Sequence, residues 1–134
     1  MTDSEKSLLA RASTGLFIAG KWRAGGDGRT IDVEDPSTGE ILALVADATV
    51  ADGAAALDAA VAAQAGWAAT APRDRGEILR KAFMEIRARA EGFALLMTLE
   101  MGKPLAEARG EVTSGAELLG WLWSTSSPRA APVR

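Results

Sequence analysis

Residues 97–111 read MTLEMGKPLAEARGE, and the sequence predicts that one helix ends and another begins inside this stretch. Gly102 can adopt the left-handed conformation that follows the last turn of a helix, and Lys103 suits the carbonyl groups left free there. Pro104 is tolerated in the first turn of the next helix because its missing N–H would have no partner in any case. The stretch therefore predicts one helix over 93–101 and a second that starts at Pro104.

Two further helices are predicted before this stretch by the spacing of their apolar residues. Thr49, with Asp52 three residues on, forms a weak capping box at the start of the first helix. Pro72 lies in the first turn of the second. The apolar faces consist of Val50, Ala54, Leu57, Val61 and Ala65 in the first helix and of Leu79, Phe83, Ile86 and Ala90 in the second.

The residues before these helices predict strands. Residues 16–22, 30–35 and 41–46 are short apolar or alternating runs, with turn signals at Gly20 and Gly39. No helix separates the three runs, so the strands are expected to pair in an antiparallel meander. The fold class is thus α+β, a short antiparallel strand meander followed by four helices.

The chain divides into three predicted parts. Residues 1–15 form an N-terminal segment with a short helix at 4–12, residues 16–123 form the folded region, and residues 124–134 lack periodicity and are expected to be a disordered tail. Much of the 48% hydrophobic content is alanine, so the core is expected to depend on a few large side chains. These are Phe17, Ile18, Trp22, Trp67, Ile78, Leu79, Phe83, Ile86, Phe93, Leu96, Leu99, Trp121 and Trp123.

The charge pattern argues against nucleic acid as a partner. The net charge is -3, and acids alternate with bases over 73–91, which is typical of a solvated helix face. No apolar run approaches the ~20 residues that cross a bilayer, and residues 1–12 lack the apolar core of a secretory signal. A cytoplasmic protein without membrane contact is therefore expected.

Few side chains in this sequence can carry chemistry. Cysteine, histidine and tyrosine are absent, which excludes a thiolate nucleophile and leaves serine or threonine without its usual base. The glycine loop at 24–28 does not match a dinucleotide fingerprint and is predicted to be a hairpin turn. Lysine remains as a base in principle, but all four lysines have solvated or structural interpretations; they are Lys6, Lys21, Lys81 and Lys103.

Carboxylates are the remaining candidates. Glu107 with Glu111, and Asp74 with Glu77, lie one helical turn apart, and the simpler interpretation of each pair is an exposed helix face. Glu100 is different, since it lies in an otherwise apolar helix where a charge needs a partner or a cation. The alternative for Glu100 is a rim carboxylate paired with Lys103 or an arginine.

Three segments resemble the aldehyde dehydrogenase family. They are LFIAGKWRAGGDGRTIDVEDPSTGEILALV at 16–45, AALDAAVAAQAGWAATAPRDRGEILRKAFMEIRARAE at 55–91 and MTLEMGKPLAEARGEV at 97–112. The Glu-x-Gly-Lys-Pro-x-x-Glu-Ala pattern of the last segment is most similar to the NAD(P)-dependent succinate-semialdehyde branch. The resemblance implies an N-terminal fragment of the α/β aldehyde dehydrogenase fold, with 16–123 as a partial region on the side of the cofactor domain.

The resemblance also implies what the chain lacks. The family oxidises aldehydes, here succinate semialdehyde to succinate, with NAD or NADP, through a cysteine nucleophile and a water-activating glutamate. None of these groups, nor the cofactor loop, is found here, so the chain is expected to bind no cofactor and to be inactive alone. Partners implied are a complementing C-terminal portion or an intact dehydrogenase subunit, in a family of homo-oligomers.

Specific positions follow from the same resemblance. Glu100 matches an acid that, with a backbone carbonyl, helps some relatives hold a monovalent cation. Glu111, Val112 and Trp121 match a helix on the substrate side. The likeness is expected to end after Trp121, as in a truncated or frame-disrupted product. Two alternatives remain open, a non-catalytic helical interaction module and a small enzyme that works through carboxylates.

Overall fold

The computed structural model of the chain describes residues 1–126, which form four short strands and five helices. The α+β class of short antiparallel strands and helices is as the sequence predicts. The strands are β1 (Leu16–Ile18), β2 (Lys21–Arg23), β3 (Thr30–Glu34) and β4 (Ile41–Ala46), and the helices are α1 (Asp3–Leu9), α2 (Val50–Ala69), α3 (Pro72–Ala88), α4 (Ala90–Met101) and α5 (Leu105–Ser126). Among these helices, none is both long enough and apolar enough to cross a membrane.

The strands form two separate hairpins where the sequence predicts one meander. β1 pairs with β2 and β3 with β4, both antiparallel, in two two-stranded sheets. The predicted strand 16–22 is split because Ala19 and Gly20 have positive φ angles of 52° and 79°, the backbone of a type I′ two-residue turn. The glycine loop at 24–28 is consequently a crossing between the two sheets and not a hairpin turn.

The junction between α4 and α5 is built as predicted. Gly102 has a φ of 69°, and its N–H donates to the Thr98 carbonyl at 2.9 Å, which ends α4. The Pro104 carbonyl accepts hydrogen bonds from the N–H groups of Glu107 and Ala108, both at 3.0 Å, and this places Pro104 just before the first residue of α5. The boundary differs from the predicted one by a single residue.

The described part of the chain divides into two compact units. The first unit comprises residues 1–68 and 98–102, with both hairpins and most of α2. Among the described residues, the second comprises 69–97 and 103–126, with α3, most of α4 and α5.

The core of the second unit is made of small side chains. α3 packs against α5, and a cluster around Ala94 and Ala108, both with no exposed surface, holds the helices together. Val112 and Ala116, 9% and 2% exposed, are the remaining buried apolar residues of the part described. The cluster is surrounded by the half-buried side chains of Ile86, Ala90, Met97 and Leu105.

The prediction that the core consists of large side chains is wrong, because the buried apolar residues are alanines and one valine. Among residues 1–126, no large side chain is fully buried, and Phe17 and Trp121 are each 60% exposed. Alanines let the helices approach closely, but the two units contain too few elements to cover the larger apolar groups as well. Ile18, Leu79, Phe83, Ile86, Leu96 and Leu99 are half-buried, and Trp22, Trp67, Ile78, Phe93 and Trp123 are exposed.

The C-terminal boundary of the folded region also differs from the prediction. α5 runs to Ser126, so residues 124–126 belong to a helix and not to a tail. The Ser124 hydroxyl donates to the Trp121 carbonyl at 2.7 Å, and the Thr125 hydroxyl donates to the Leu122 carbonyl at 3.0 Å. Through these hydrogen bonds polar residues continue the helix although the sequence there shows no apolar periodicity. The rest of the predicted tail, 127–134, lies outside the described residues.

Candidate functional site

Glu100, the predicted cation ligand, lies in the last turn of α4 with an exposed side chain. Its carboxylate forms no ion pair with any residue of 1–126, and Lys103, one predicted partner, is instead paired with Glu111. Glu100 offers only carboxylate oxygens as ligands, which suit a hard cation better than a soft metal ion. Within 1–126, no three acidic residues are grouped closely enough to bind a metal ion, so the cation at Glu100 stays a prediction.

The two carboxylate pairs do not form acid–base sites. Glu111 is engaged by Lys103, and Glu77 accepts two hydrogen bonds from Arg80, at 2.8 Å from Nε and 2.7 Å from Nη2. The hydrogen bonds from Arg80 lower the pKa of Glu77, whereas a proton donor at neutral pH needs a raised one. Both pairs are therefore ordinary features of helix surfaces.

The positions expected on the substrate side have different surroundings. Val112 is buried in the core of the second unit, so its side chain serves helix packing and not an open surface. Trp121 remains exposed on α5, and Glu111 is exposed and paired with Lys103. Of the three, only Trp121 presents a large unengaged surface.

The densest polar cluster in residues 1–126 surrounds Asp52, in the first turn of α2. The Asp52 side chain is only 4% exposed. Its Oδ2 atom accepts hydrogen bonds from the backbone N–H groups of Gly26 and Thr49, at 2.8 and 2.9 Å, and from the Thr49 hydroxyl at 2.8 Å. Its Oδ1 atom lies 2.8 Å from Nη2 of Arg23. The Thr49 hydroxyl in turn accepts the N–H of Asp52 at 3.2 Å, which completes the capping box.

These contacts fix the charge of Asp52. The N–H of Gly26 and the N–H and hydroxyl of Thr49, with the nearby Arg23 guanidinium, outweigh the cost of burial and lower the pKa of Asp52 to about 2. Both of its oxygens are occupied, so Asp52 is a poor general base. Its role is structural, since it ties β2 and the glycine loop to the start of α2.

The sequence indicated only part of this cluster. The Thr49-x-x-Asp52 spacing predicts the cap, but Gly26 lies 26 residues before Asp52 and no local pattern connects them. Arg23, at the end of β2, is likewise brought to Asp52 only by the tertiary fold. Burial of a capping carboxylate under a distant arginine leaves no signature in a single sequence.

The glycine-rich loop does not fit the phosphates of a dinucleotide. The N–H of Gly26 is bonded to Asp52, and the N–H of Gly28 donates to the Gly25 carbonyl at 3.0 Å. A Cβ atom added to Gly25 would lie 2.2 Å from the Asp47 carbonyl oxygen, so neighbouring backbone already fills the space beside the loop. Because Gly25 has no Cβ, the backbone of the loop can approach the backbone of Asp47 this closely.

A different kind of surface lies along α2. Leu57, Val61 and Trp67 are 65%, 61% and 46% exposed and share one face of the helix. Together with the small residues between them they line a shallow open depression. We call the face formed by Leu57, Ala60, Val61, Gln64 and Trp67 the α2 face.

The sequence relatives and the matching family model agree on the family, aldehyde dehydrogenase, while the relatives differ in the semialdehyde they are named for. Residues 22–129 match the model of the aldehyde dehydrogenase family. The match extends past Trp121, the residue after which the sequence alone predicted the likeness to end. The succinate-semialdehyde dehydrogenase of Paenarthrobacter nicotinovorans is 68% identical over 82 residues, which cover 61% of this chain and 18% of the relative. The NADP(+) succinate-semialdehyde dehydrogenase GabD of Escherichia coli K12 is 39% identical over 106 residues, 79% of this chain and 22% of the relative.

Solved structures agree with the sequence relatives. The succinate-semialdehyde dehydrogenase from Burkholderia pseudomallei superimposes with a TM-score of 0.78 at 41% identity, covering 81% of this chain and 22% of that one. The chain thus spans about a fifth of the length of the relatives it matches.

Proposed function

The chain belongs to the aldehyde dehydrogenase family, and we propose that it is the N-terminal part of a succinate-semialdehyde dehydrogenase. The observation that carries the proposal is the 68% identity to a relative of that name over 82 residues. The whole enzyme would oxidise the aldehyde of succinate semialdehyde to the carboxylate of succinate. NAD(+) or NADP(+) would accept the hydride, and the Escherichia coli relative, an NADP(+) enzyme, favours NADP(+).

We further propose that these 134 residues do not catalyse the reaction alone. The family reaction begins with attack of a thiolate on the aldehyde carbon, and the chain has no cysteine. The carboxylate that is most buried, Asp52, is held as an anion with both oxygens engaged, and two amides of the glycine loop already have acceptors: Gly26 donates to Asp52 and Gly28 to the Gly25 carbonyl. What this chain contributes is a scaffold of hairpins and helices.

An assay of reduced cofactor tests the proposal. The purified chain is incubated with succinate semialdehyde and NAD(+) or NADP(+), alone and after mixing with a separately produced C-terminal portion of the Paenarthrobacter relative. We expect no reduced nicotinamide from the chain alone and measurable formation from the mixture. Turnover by the chain alone, or a covalent acyl adduct on it, would contradict the proposal. If that turnover disappeared in Glu100→Gln, the result would favour an enzyme that works through carboxylates.

A second candidate function is supported by the α2 face. The chain could act as a non-catalytic helical module that binds an intact dehydrogenase subunit through this apolar surface. Affinity purification of the tagged chain beside a full-length relative separates the two candidates. Retention of the whole subunit by the chain, and its loss in Leu57→Asn, is the result expected of a binding module.

A further inference from the structure

The chain contains two Asp-Gly sequences, Asp27-Gly28 and Asp52-Gly53, and no asparagine. In an Asp-Gly sequence the backbone nitrogen of the glycine can attack the carboxyl carbon of the aspartate, because glycine has no side chain that obstructs the approach. Every other aspartate of the chain is followed by a residue with a side chain. The two sequences have the same local chemistry, so any difference in their reactivity must come from the fold.

Asp52-Gly53 is held in the first turn of α2. The Asp52 side chain is 4% exposed, and its oxygens are engaged by Gly26, Thr49 and Arg23. The Gly53 N–H donates to the Thr49 carbonyl at 3.1 Å. The ring formed by such an attack needs a ψ angle of the aspartate far from the helical value of about −42°. The start of α2 must therefore open before the reaction can occur.

Asp27-Gly28 lies in the loop between β2 and β3. The partner of the Asp27 carboxylate is Arg29, whose backbone N–H and Nε donate at 3.1 and 2.6 Å. The side chains of Asp27 and Arg29 are 39% and 66% exposed, so water competes for these contacts. The Gly28 N–H donates to the Gly25 carbonyl at 3.0 Å, which closes a single turn. Opening this loop should therefore require much less free energy than opening the start of α2.

We propose that Asp27-Gly28 is a site of spontaneous isoaspartate formation in the folded chain, and that the fold protects Asp52-Gly53 from the same reaction. The Gly28 nitrogen bonds to the Asp27 carboxyl carbon, and its hydrogen leaves with the carboxyl OH as water, which closes a five-membered succinimide ring. Water then adds to the ring carbonyl that came from the Asp27 backbone, and the bond between that carbon and the Gly28 nitrogen breaks. The product has the mass of the original chain, and its backbone runs through the former side chain of Asp27.

The product should loosen the first unit. Isoaspartate adds one carbon to the backbone of the loop and moves the carboxylate. The loop has little slack, because a Cβ atom on Gly25 would lie 2.2 Å from the Asp47 carbonyl oxygen. The Gly26 N–H of the same loop donates to Asp52 at 2.8 Å. A longer backbone in this loop therefore displaces a donor of the cluster around Asp52, and the melting temperature should fall.

Incubation of the purified chain at neutral pH and physiological temperature tests the proposal. Trypsin separates the two sequences into peptides 24–29 and 30–73, and electron-transfer fragmentation distinguishes isoaspartate from aspartate in each. We expect isoaspartate to accumulate at least about tenfold faster at Asp27 than at Asp52. In guanidinium chloride the protection of Asp52 is lost, and the two rates should become similar. Equal rates in the folded chain, or no isoaspartate at Asp27 while the denatured control converts at both sites, would overturn the proposal.

A matched variant tests the consequence for stability. Asp27→Glu keeps the carboxylate but would have to form a larger and less favourable ring. The melting temperature of the unsubstituted chain should fall by about 3 °C or more as isoaspartate accumulates, whereas that of Asp27→Glu, incubated in parallel, should change by less than about 1 °C. Equal losses in the two samples would contradict the role given to Asp27, because the damage would then lie elsewhere in the chain.

Discussion

The two compact units of the chain are stabilised by opposite means. In the first unit, one nearly buried carboxylate, Asp52, receives hydrogen bonds from two backbone segments and pairs with Arg23. In the second, alanines on neighbouring helices are packed without any exposed surface, as at Ala94 and Ala108. The first unit therefore depends on the geometry of hydrogen bonds and on an ion pair, and the second depends on the small volume of the packed side chains.

A chain that buries few large apolar side chains can therefore still specify the positions of its strands and helices. Short hairpins cannot bury a core by themselves, so a polar cap that joins β2, the glycine loop and α2 fixes their positions. Long helices can pack closely through alanine, and their larger residues stay at the surface.

The largest effect is expected from Asp52→Ala. The substitution leaves the N–H groups of Gly26 and Thr49 without their acceptor and the Arg23 guanidinium without its counter-charge. The melting temperature should fall by on the order of 10 °C. Hydrogen exchange should accelerate in the strands and at the start of α2, and Asp58→Ala, at an exposed position of the same helix, serves as the control. An equal effect of the two variants would remove the special role of Asp52.

The next largest effect is expected from Ala108→Leu. A leucine does not fit where Ala108 has no exposed surface, and such overpacking costs about 1–3 kcal/mol. Hydrogen exchange should accelerate in α3 and α5 and remain unchanged in the two hairpins. Ala106→Leu, on the exposed side of the same helix, should leave the free energy of unfolding within about 0.5 kcal/mol of the original. Faster exchange in the hairpins of Ala108→Leu would show that the units do not unfold independently.

The sequence predicted the parts of this contrast that are local. Gly102 and Pro104 marked the junction between α4 and α5 because backbone conformation at a helix end is dictated by a few adjacent residues. The Thr49 cap was visible for the same reason. Aldehyde dehydrogenase membership was also predictable, since its motifs are spread over most of the chain.

The sequence could not supply what depends on distant partners. The turn signal at Gly20 marked the first hairpin turn, but an alanine with positive φ is uncommon, so the part of Ala19 in this turn and the division of the predicted strand 16–22 were not foreseen. Trp22 and Trp67 were expected in a core because large apolar side chains usually are buried, but this holds only when enough of the fold is there to cover them. For Glu100, an expectation taken from relatives stays a prediction.

Acid should weaken the first unit through Asp52. Its pKa is lowered in the fold from 3.8 to about 2, so its contribution to stability is present above pH ~4 and is lost as the pH falls towards 2. Asp27 and Asp35 in the same unit also have lowered pKa values, through hydrogen bonds from Arg29 and Ser37. The variant Asp52→Asn cannot titrate at this position. The difference between its stability and that of the unsubstituted chain at each pH therefore gives the contribution of the Asp52 charge.

Thermal melting between pH 2 and 7 measures this share. The wild-type melting temperature should decline below pH ~4 more steeply than that of Asp52→Asn, and the two curves should converge near pH 2. Parallel curves over the whole range would mean that the charge on Asp52 contributes nothing to the fold.

The smallest effect is expected from Arg109→Gln in the second unit. Arg109 binds Glu91 with two nitrogens, at 3.0 Å from Nε to Oε1 and 2.8 Å from Nη2 to Oε2, yet the two side chains are 50% and 71% exposed. Water screens such a pair, so the melting temperature should change by less than about 2 °C at low salt and not at all at about 1 M salt. Arg23→Gln is the matched control, because Arg23 also pairs with a carboxylate at 2.8 Å but that carboxylate is 4% exposed. Its larger effect should persist in salt, since the Asp52 charge is left without a partner where water has little access. If the two arginine variants shift the melting temperature equally, the ion pair of the first unit contributes no more to stability than that of the second. Burial of Asp52 would then not strengthen its pair with Arg23.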